Sequence, residues 1–600
     1  MAYTITNDGS TITIYDGVQK YSYHKTGVSL TTNGNLLKIH FHNVERFSFA
    51  YTEVTTPSSV SADELRGIIE GYLDSSFTMY ATNDSDEPTK LASTPEGHLE
   101  VAVHAPTSVF GNILVDQEIP IFQTDFVYGV NSYQSYTVIS GSGGVSGTNQ
   151  LMQLSTGTTI NSYAVSESRK RLRYRPGQGV KVSYTAMFTT PVANSYQDAG
   201  LGTAENGLYF GYGDTNNLSD TSFGILYVYN GKREIKTLTV TTGATSASNV
   251  TITLNGTAFT VPVTNSSNIQ RTVYEIATYT GYTGWDAYPN GATVIFIRKS
   301  AGTTAGTQSF SAGTTGSAAT IAQTRAGAAS TDTFIKQSNW NVDKLDGTGD
   351  SGFTINPQKI NLYRICIGYL GAHDLVFQVK ITPPSSNNTT WQTVHVIKYA
   401  NLNTTTSFTN ASFPFNAFAY SAGSTTNLTV SIGSYCGSIE GKKILHGLRA
   451  SYVNSLTTVG AANYQALFTI LNPRVFNGVA NQSVINILSM SGALKHTSPC
   501  IFYVVKNATL AGNPNFGSYS SNMCGLVDTS STTITWSDNS QLIYTDHLGD
   551  TGDIDHSFTN GDFNGDEVTL QPGEYITLAA KAITGTPAYV TGSLNTREDQ

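Results

Sequence analysis

A two-residue rhythm limits the folds open to this chain more than any other feature. In "NVTITLNGTAFTVPV", residues 249–263, Val250, Ile252 and Leu254 alternate with polar residues. Asn-Gly then turns the chain, and Phe259, Val261 and Val263 resume the alternation. Successive side chains of a strand point to opposite faces, so this spacing builds one apolar face, and Asn-Gly supplies the positive φ angles of a tight hairpin. "STITIYDG", "KVSYTAMF" and "ATVIFIRKS" carry the same alternation. The pattern predicts a mainly β, multidomain chain of antiparallel β-sandwich units, lectin-like or jelly-roll in kind, with a small inserted β+α module.

Two segments leave the rhythm. "SADELRGIIEGYLD" pairs Ser61 with Glu64 as a capping box, and Leu65, Ile68, Ile69, Tyr72 and Leu73 then form one apolar stripe at helical spacing. "SNIQRTVYEIA" offers Ser267 and Gln270 as its cap pair and Ile269, Val273 and Ile276 as its stripe. Helices are therefore expected over 61–73 and 267–277. Composition shifts divide the chain further. Residues 1–80 form a strand-helix unit, 81–235 plus 334–480 a central sandwich, 236–333 an inserted β+α module, and 481–600 a last β domain. A chain of 600 residues exceeds what one core usually serves.

Charge narrows the partners. Charged residues make up 12% of the chain and the net charge is -9, which argues against nonspecific binding to nucleic acid or anionic membrane. The N-terminus shows no basic and then apolar leader, and no run of about 18 apolar residues appears, so neither a cleavable signal nor a membrane span is expected. Cys366, Cys436, Cys500 and Cys524 lie far apart without a CxxC pair, which disfavours a zinc or redox motif and leaves disulfides or free thiols.

Signatures of catalysis are thin. "GDSG", residues 349–352, matches a serine-protease nucleophile motif, but no histidine segment accompanies it, and a triad needs its base. The chain is expected not to be an enzyme and to need no cofactor, calcium being the one candidate ion. Asp343, Asp346 and Asp350 in one loop, and Asp550, Asp553, Asp555, Asp562 and Asp566 in another, offer the hard oxygens that suit Ca²⁺. Asp and Gly are also what plain turns require, so both readings stand. His40 and His42 would share a strand face as a metal pair, though no third ligand is near in sequence.

"SRKRLRYRPGQG", residues 168–179, concentrates cations in an acidic chain. On a strand, Arg169, Arg171, Arg173 and Arg175 share one face, with Leu172 and Tyr174 on the other. Such a ridge suits phosphate or sulfate, or ion pairs at a domain or subunit interface, and the interface is the preferred reading. Aromatic runs such as "NGLYFGYGD" and "SFGILYVYNG" offer rings to stack on sugars or to fill a core.

In order, "SRKRLRYRPGQGVKVSYTAMF", "NSYQDAGLGTAENGLYFGY", "FGILYVYNGKREIKTL", "SNWNVDKLDGTGDSG" and "YLGAHDLVFQV" resemble segments of a family of β-rich structural proteins of tailed phages and large aquatic DNA viruses. "TPSSVSADELRGIIEGYLD" and the closing "LNTREDQ" are similar to the ends of such proteins, which usually carry Trp where this chain has Thr596. The resemblance implies a virion protein of tail-fibre, spike or capsid-associated type, with residues 1–80 attaching to the particle. It implies other virion proteins as partners, self-association as a homotrimer, and host surface glycan as a ligand. A capsid-associated protein without a receptor role and a polysaccharide-degrading spike are the alternatives.

Overall fold

The computed structural model describes, up to residue 117, the stretches 4–7, 11–15, 19–24, 28–33, 36–41, 44–50, 80–82 and 88–90. From 118 to 599 it describes all but 174, 176, 204, 369–370, 385–386, 410, 442–446, 496–497, 537–539, 550–551 and 559–567. Two compact units divide the chain, Met1–Leu114 and Val115–Gln600.

In the first unit, Thr4–Asn7, Thr11–Tyr15 and Lys20–His24 form one antiparallel sheet, and Val28–Asn33, Leu36–Phe41 and Val44–Ala50 form another. His40 shares a hydrogen bond with Thr31 Oγ1 at 3.0 Å. The helix expected over 61–73, and His42, lie outside the described residues.

The second unit is built on a two-sheet antiparallel sandwich. One sheet has seven strands in the order Ser135–Ser140, Ser162–Ser168, Phe415–Ser421, Ser195–Gly202, Gly207–Tyr212, Phe223–Tyr229 and Thr331–Lys336. Its partner centres on Thr429–Glu440, Val180–Phe188, Asn361–Ile367 and Leu375–Ile381. Alternation decides which face meets the core. Val180, Val182, Tyr184, Ala186 and Phe188 are all buried, while the residues between them are half-buried. Phe210, Tyr363 and Phe377 meet them from other strands, and a buried side chain of this size stabilises the fold by roughly 1.5–3 kcal/mol.

Residues 230–330 leave the seven-stranded sheet and return to it: Tyr229 lies opposite Thr331 on adjacent antiparallel strands. Between them stand a four-stranded sheet, a three-stranded sheet and the helix Ile269–Thr278, around a core of their own. The Asn-Gly hairpin is present, with φ of 50° at Asn255 and 82° at Gly256 between the paired residues Leu254 and Thr257. The helix begins at Ile269, two residues later than the sequence suggested. Its cap is Asn268, whose Oδ1 accepts from Arg271 N at 3.0 Å, and not Ser267 with Gln270. Asn caps as well as Ser, and from position 268 the amide oxygen reaches the third N–H of the helix. Val273 and Ile276 are buried in the stripe as expected.

The C-terminal sheets start before residue 481. Leu448–Val453 and Tyr464–Leu471 pair with Ala588–Asp599 and Tyr575–Ala582, because Tyr452, Leu467, Phe468 and Ile470 complete one core with Ile487, Phe502 and Leu578. All four cysteines are free thiols. Burial raises Cys500 to about 11, and burial with the nearby Glu598 charge raises Cys524 to about 12, so both stay protonated and unreactive near neutral pH. Among the described residues, no helix is long and apolar enough to cross a membrane.

Candidate functional site

The seven-stranded sheet has a second face. Where Ser162, Ala164, Ser166 and Ser168 point inward, Tyr163, Val165 and Glu167 point outward, and the neighbouring strands add Phe418, Tyr420, Tyr196 and Asp198. This outward face is the floor of a cleft of about 1360 Å³. The inserted module supplies one wall, with Trp285, Arg298 and Lys299, and the C-terminal sheets supply another, with Arg474, Pro572 and Glu574. The cleft thus lies where the three parts of the second unit meet.

Aromatic rings pave the floor. Tyr196 lies 5.1 Å from Phe418 and 5.2 Å from Tyr420, centroid to centroid, and Tyr163 lies 6.3 Å from Phe418. All four rings are half-buried. Such rings present an apolar face to a ligand while their packing fixes their orientation.

Among them is Asp198, which is buried and, among the described residues, has no hydrogen-bond partner on either carboxylate oxygen. Its side chain lies over Gly211, where a Cβ would come within 2.2 Å of Oδ1. Burial first, and the charge of Asp332 second, push the Asp198 carboxyl well above the usual carboxylate range. Asp332 accepts from Thr215 Oγ1 at 2.7 Å, and its Oδ1 has no partner. Burial and the Asp332 charge both favour the protonated form of Asp198 within the floor.

The arginine ridge is divided between two tasks. After Ser168, the described residues of the stretch form a strand only at Leu172–Arg173, paired with Ser412–Phe413, so the long alternating strand expected there is not formed. Beyond it, Gln178 N donates to Arg175 O. Arg169 and Arg171 line the cleft, at 4.0 Å from Glu574 and 3.8 Å from Glu167. Arg173 and Arg175 both bind Asp599, Arg173 Nη1 at 3.2 Å from Oδ1. Those two contacts join the sandwich to the last strand of the chain.

The calcium candidates are not gathered. Asp343 accepts from Leu345 N with one oxygen and from Ser351 N with the other, and Asp346 accepts from the Thr348 N–H and hydroxyl. These bonds shape the turn that the sequence left as the second reading. Ser351 of "GDSG" belongs to the same turn, its Oγ accepting from Phe353 N. Asp553 and Asp555 are exposed on the strand Gly552–Ser557, and Asp550, Asp562 and Asp566 lie outside the described residues. Among the described residues, no three acidic, histidine or cysteine side chains come together as a metal site.

Of the aromatic runs singled out in the sequence, Phe210 and Tyr212 fill the sandwich core, and Tyr227 packs edge-on against Phe408. Tyr196, Phe418, Tyr420, Asp198 and Arg474 were not singled out. The signal that marks the first four is their place at outward positions of strands whose inward positions are small or apolar.

No protein-family model and no curated protein matches the sequence. Among solved structures, a lectin from Bauhinia forficata in complex with GalNAc aligns with a TM-score of 0.19 at 10% identity, over 55% of this chain and 100% of that one. An engineered GH43 glycoside hydrolase gives 0.19 at 10% identity, over 72% and 73%. The faustovirus major capsid protein gives 0.11 at 7% identity, over 81% and 92%. At such scores the likenesses say nothing of what this chain binds or does.

Proposed function

We propose that this chain is a structural protein of a virus particle, exposed at its surface as an adhesin that binds host surface glycan in the cleft. The observation that carries the binding role is the floor of half-buried rings at Tyr163, Tyr196, Phe418 and Tyr420 under charged walls. A volume of about 1360 Å³ is larger than the roughly 300–1,000 Å³ of usual small-molecule pockets, which suits an oligomeric ligand. The virion role is supported by the ordered sequence segments and by a surface rich in Ser, Thr, Asn and Gly. Binding without cleavage fits this floor, where both oxygens of Asp198 are sealed from solvent and, among the described residues, have no partner. A homotrimer is proposed as the assembled form, since several weak sites held together raise avidity and sister subunits cover sheet edges.

Surface plasmon resonance over immobilised host-surface polysaccharide tests the binding role. The wild type should bind, and Tyr196→Ala with Tyr420→Ala should lose at least tenfold in affinity at unchanged circular dichroism. A wild type that ignores every polysaccharide of its host surface leaves only the capsid-associated role without a receptor.

A further inference from the structure

The charges of the cleft wall are arranged unequally. Arg474 and Lys299 both face Asp286, at 3.6 and 3.8 Å, and Arg169 faces Glu574 at 4.0 Å. In each pair the carboxylate is the deeper partner. The Arg474 side chain is 30% exposed and that of Asp286 14%; Arg169 is 32% exposed and Glu574 8%. At these three pairs the cations are the more exposed partners, although the whole chain carries a net charge of -9; at Arg171 and Glu167 the order is reversed, 17% against 22%.

Arg171 differs from these. Its guanidinium has five N–H donors, yet it makes no side-chain hydrogen bond among the described residues, and its one ion-pair contact, to Glu167 Oε2, is long at 3.8 Å. Burial first lowers its pKa; Glu167 opposes this, while the nearby Arg233 and Arg474 lower it further. Arg233 is itself 3.8 Å from Glu205, and among the described residues its Nε has no hydrogen-bond partner. Three guanidinium groups from the sandwich, the module and the C-terminal sheets thus line one cleft with donors to spare. An anion placed among them gains bidentate, charge-assisted hydrogen bonds and relieves their mutual repulsion.

We infer that the glycan bound in this cleft is acidic, with a carboxylate or sulfate seated at Arg171, Arg233 and Arg474 while neighbouring sugar rings lie on the aromatic floor. This rests on the reading of the cleft as a glycan site. Free inorganic anions share the charge but have nothing to place on Tyr196 and Tyr420.

Calorimetry on the full chain tests the inference with matched ligands: sialyllactose against lactose, oligogalacturonate against its methyl ester, and inorganic sulfate alone. The acidic member of at least one pair should bind ten times more tightly or better than its neutral counterpart, and the preference should shrink as salt rises. Arg171→Gln should remove most of that preference while leaving the weaker binding of the neutral saccharide. If Arg171→Gln does not fold, Arg474→Gln, at a side chain 30% exposed, gives the same readout. Equal binding of acidic and neutral members overturns the inference and leaves the glycan site standing. Inorganic sulfate binding as tightly as the acidic saccharides overturns it in favour of a simple anion site. No saccharide binding in calorimetry, together with no binding to host polysaccharide, removes both.

Discussion

Leu510 donates its backbone N–H to the Tyr274 hydroxyl at 3.1 Å, and this bond fastens the helix of the inserted module to the C-terminal sheets. Tyr274 and Tyr288 of the module are buried in one apolar cluster with Val505, Leu510 and Phe516. The module therefore has a core of its own and a second, shared one. The cleft takes its shape from this contact, because one wall belongs to the module and another to the C-terminal sheets.

The shared cluster makes Tyr274 a stability position. Tyr274→Ala is expected to cost about 3–5 kcal/mol, as for other large-to-small changes at buried aromatics. Tyr274→Phe should cost about 1–2 kcal/mol, because the Leu510 N–H stays buried without its acceptor. Urea unfolding measures both. Replacing residues 230–330 by a short Gly-Ser bridge should leave the sandwich folded, since Tyr229 and Thr331 are already neighbours. The same deletion uncovers Val505, Leu510 and Phe516, so the C-terminal sheets should unfold earlier and bind a hydrophobic dye.

Asp198 gives a pH dependence with a definite sign. A carboxyl whose pKa is higher in the folded state favours folding below its ordinary value of 3.8, and this is lost as pH rises through the raised folded value. Asp198→Asn removes the titration and keeps the shape. The variant should be closest to the wild type in stability near pH 4 and gain on it as pH rises toward 8. Thermal unfolding across that range checks the slope; parallel curves for the two proteins contradict it.

The contacts at Asp599 predict what the arginine ridge does within the chain. Asp599→Ala frees Arg173 and Arg175 and should cost about 1.5–3 kcal/mol, the usual loss when hydrogen bonds to a charged group are removed. Replacing Arg171 and Arg173 together by Ser should loosen the C-terminal sheets against the sandwich while sparing secondary structure. In light scattering the wild type should have three times the mass of one chain, and the double variant should keep that mass. A wild type that stays monomeric at micromolar concentration removes the trimer; a variant that dissociates moves the ridge to a subunit contact.

The strands were legible in the sequence because alternation is a local property. Val180 to Phe188 and the Asn255–Gly256 hairpin form where the residues said they would. The long strand through the ridge did not form, since alternation cannot show that pairing stops at Ser168, whose hydroxyl donates to Lys170 O, and resumes only at Leu172–Arg173. The cleft was hardly legible, because it exists only where three parts meet. Arg171, Arg233 and Arg474 are separated by 62 and 241 positions along the chain (233 − 171 and 474 − 233). Nothing local distinguishes an outward Tyr196 from a tyrosine destined for a core until the strand order Phe415–Ser421, Ser195–Gly202, Gly207–Tyr212 is known. Asp198 carried the clearest unused signal: an ionisable residue within a strand that is otherwise nearly all buried.

The central claim is that a glycan lies on the outward face of the seven-stranded sheet. A crystal structure of the full chain, soaked with the tightest-binding oligosaccharide, tests it most directly. The account predicts sugar rings in van der Waals contact with Tyr196, Phe418 or Tyr420, and an acidic substituent within hydrogen-bond distance of the Arg171 guanidinium. Density for the saccharide at another surface, with the cleft holding solvent alone, would contradict it.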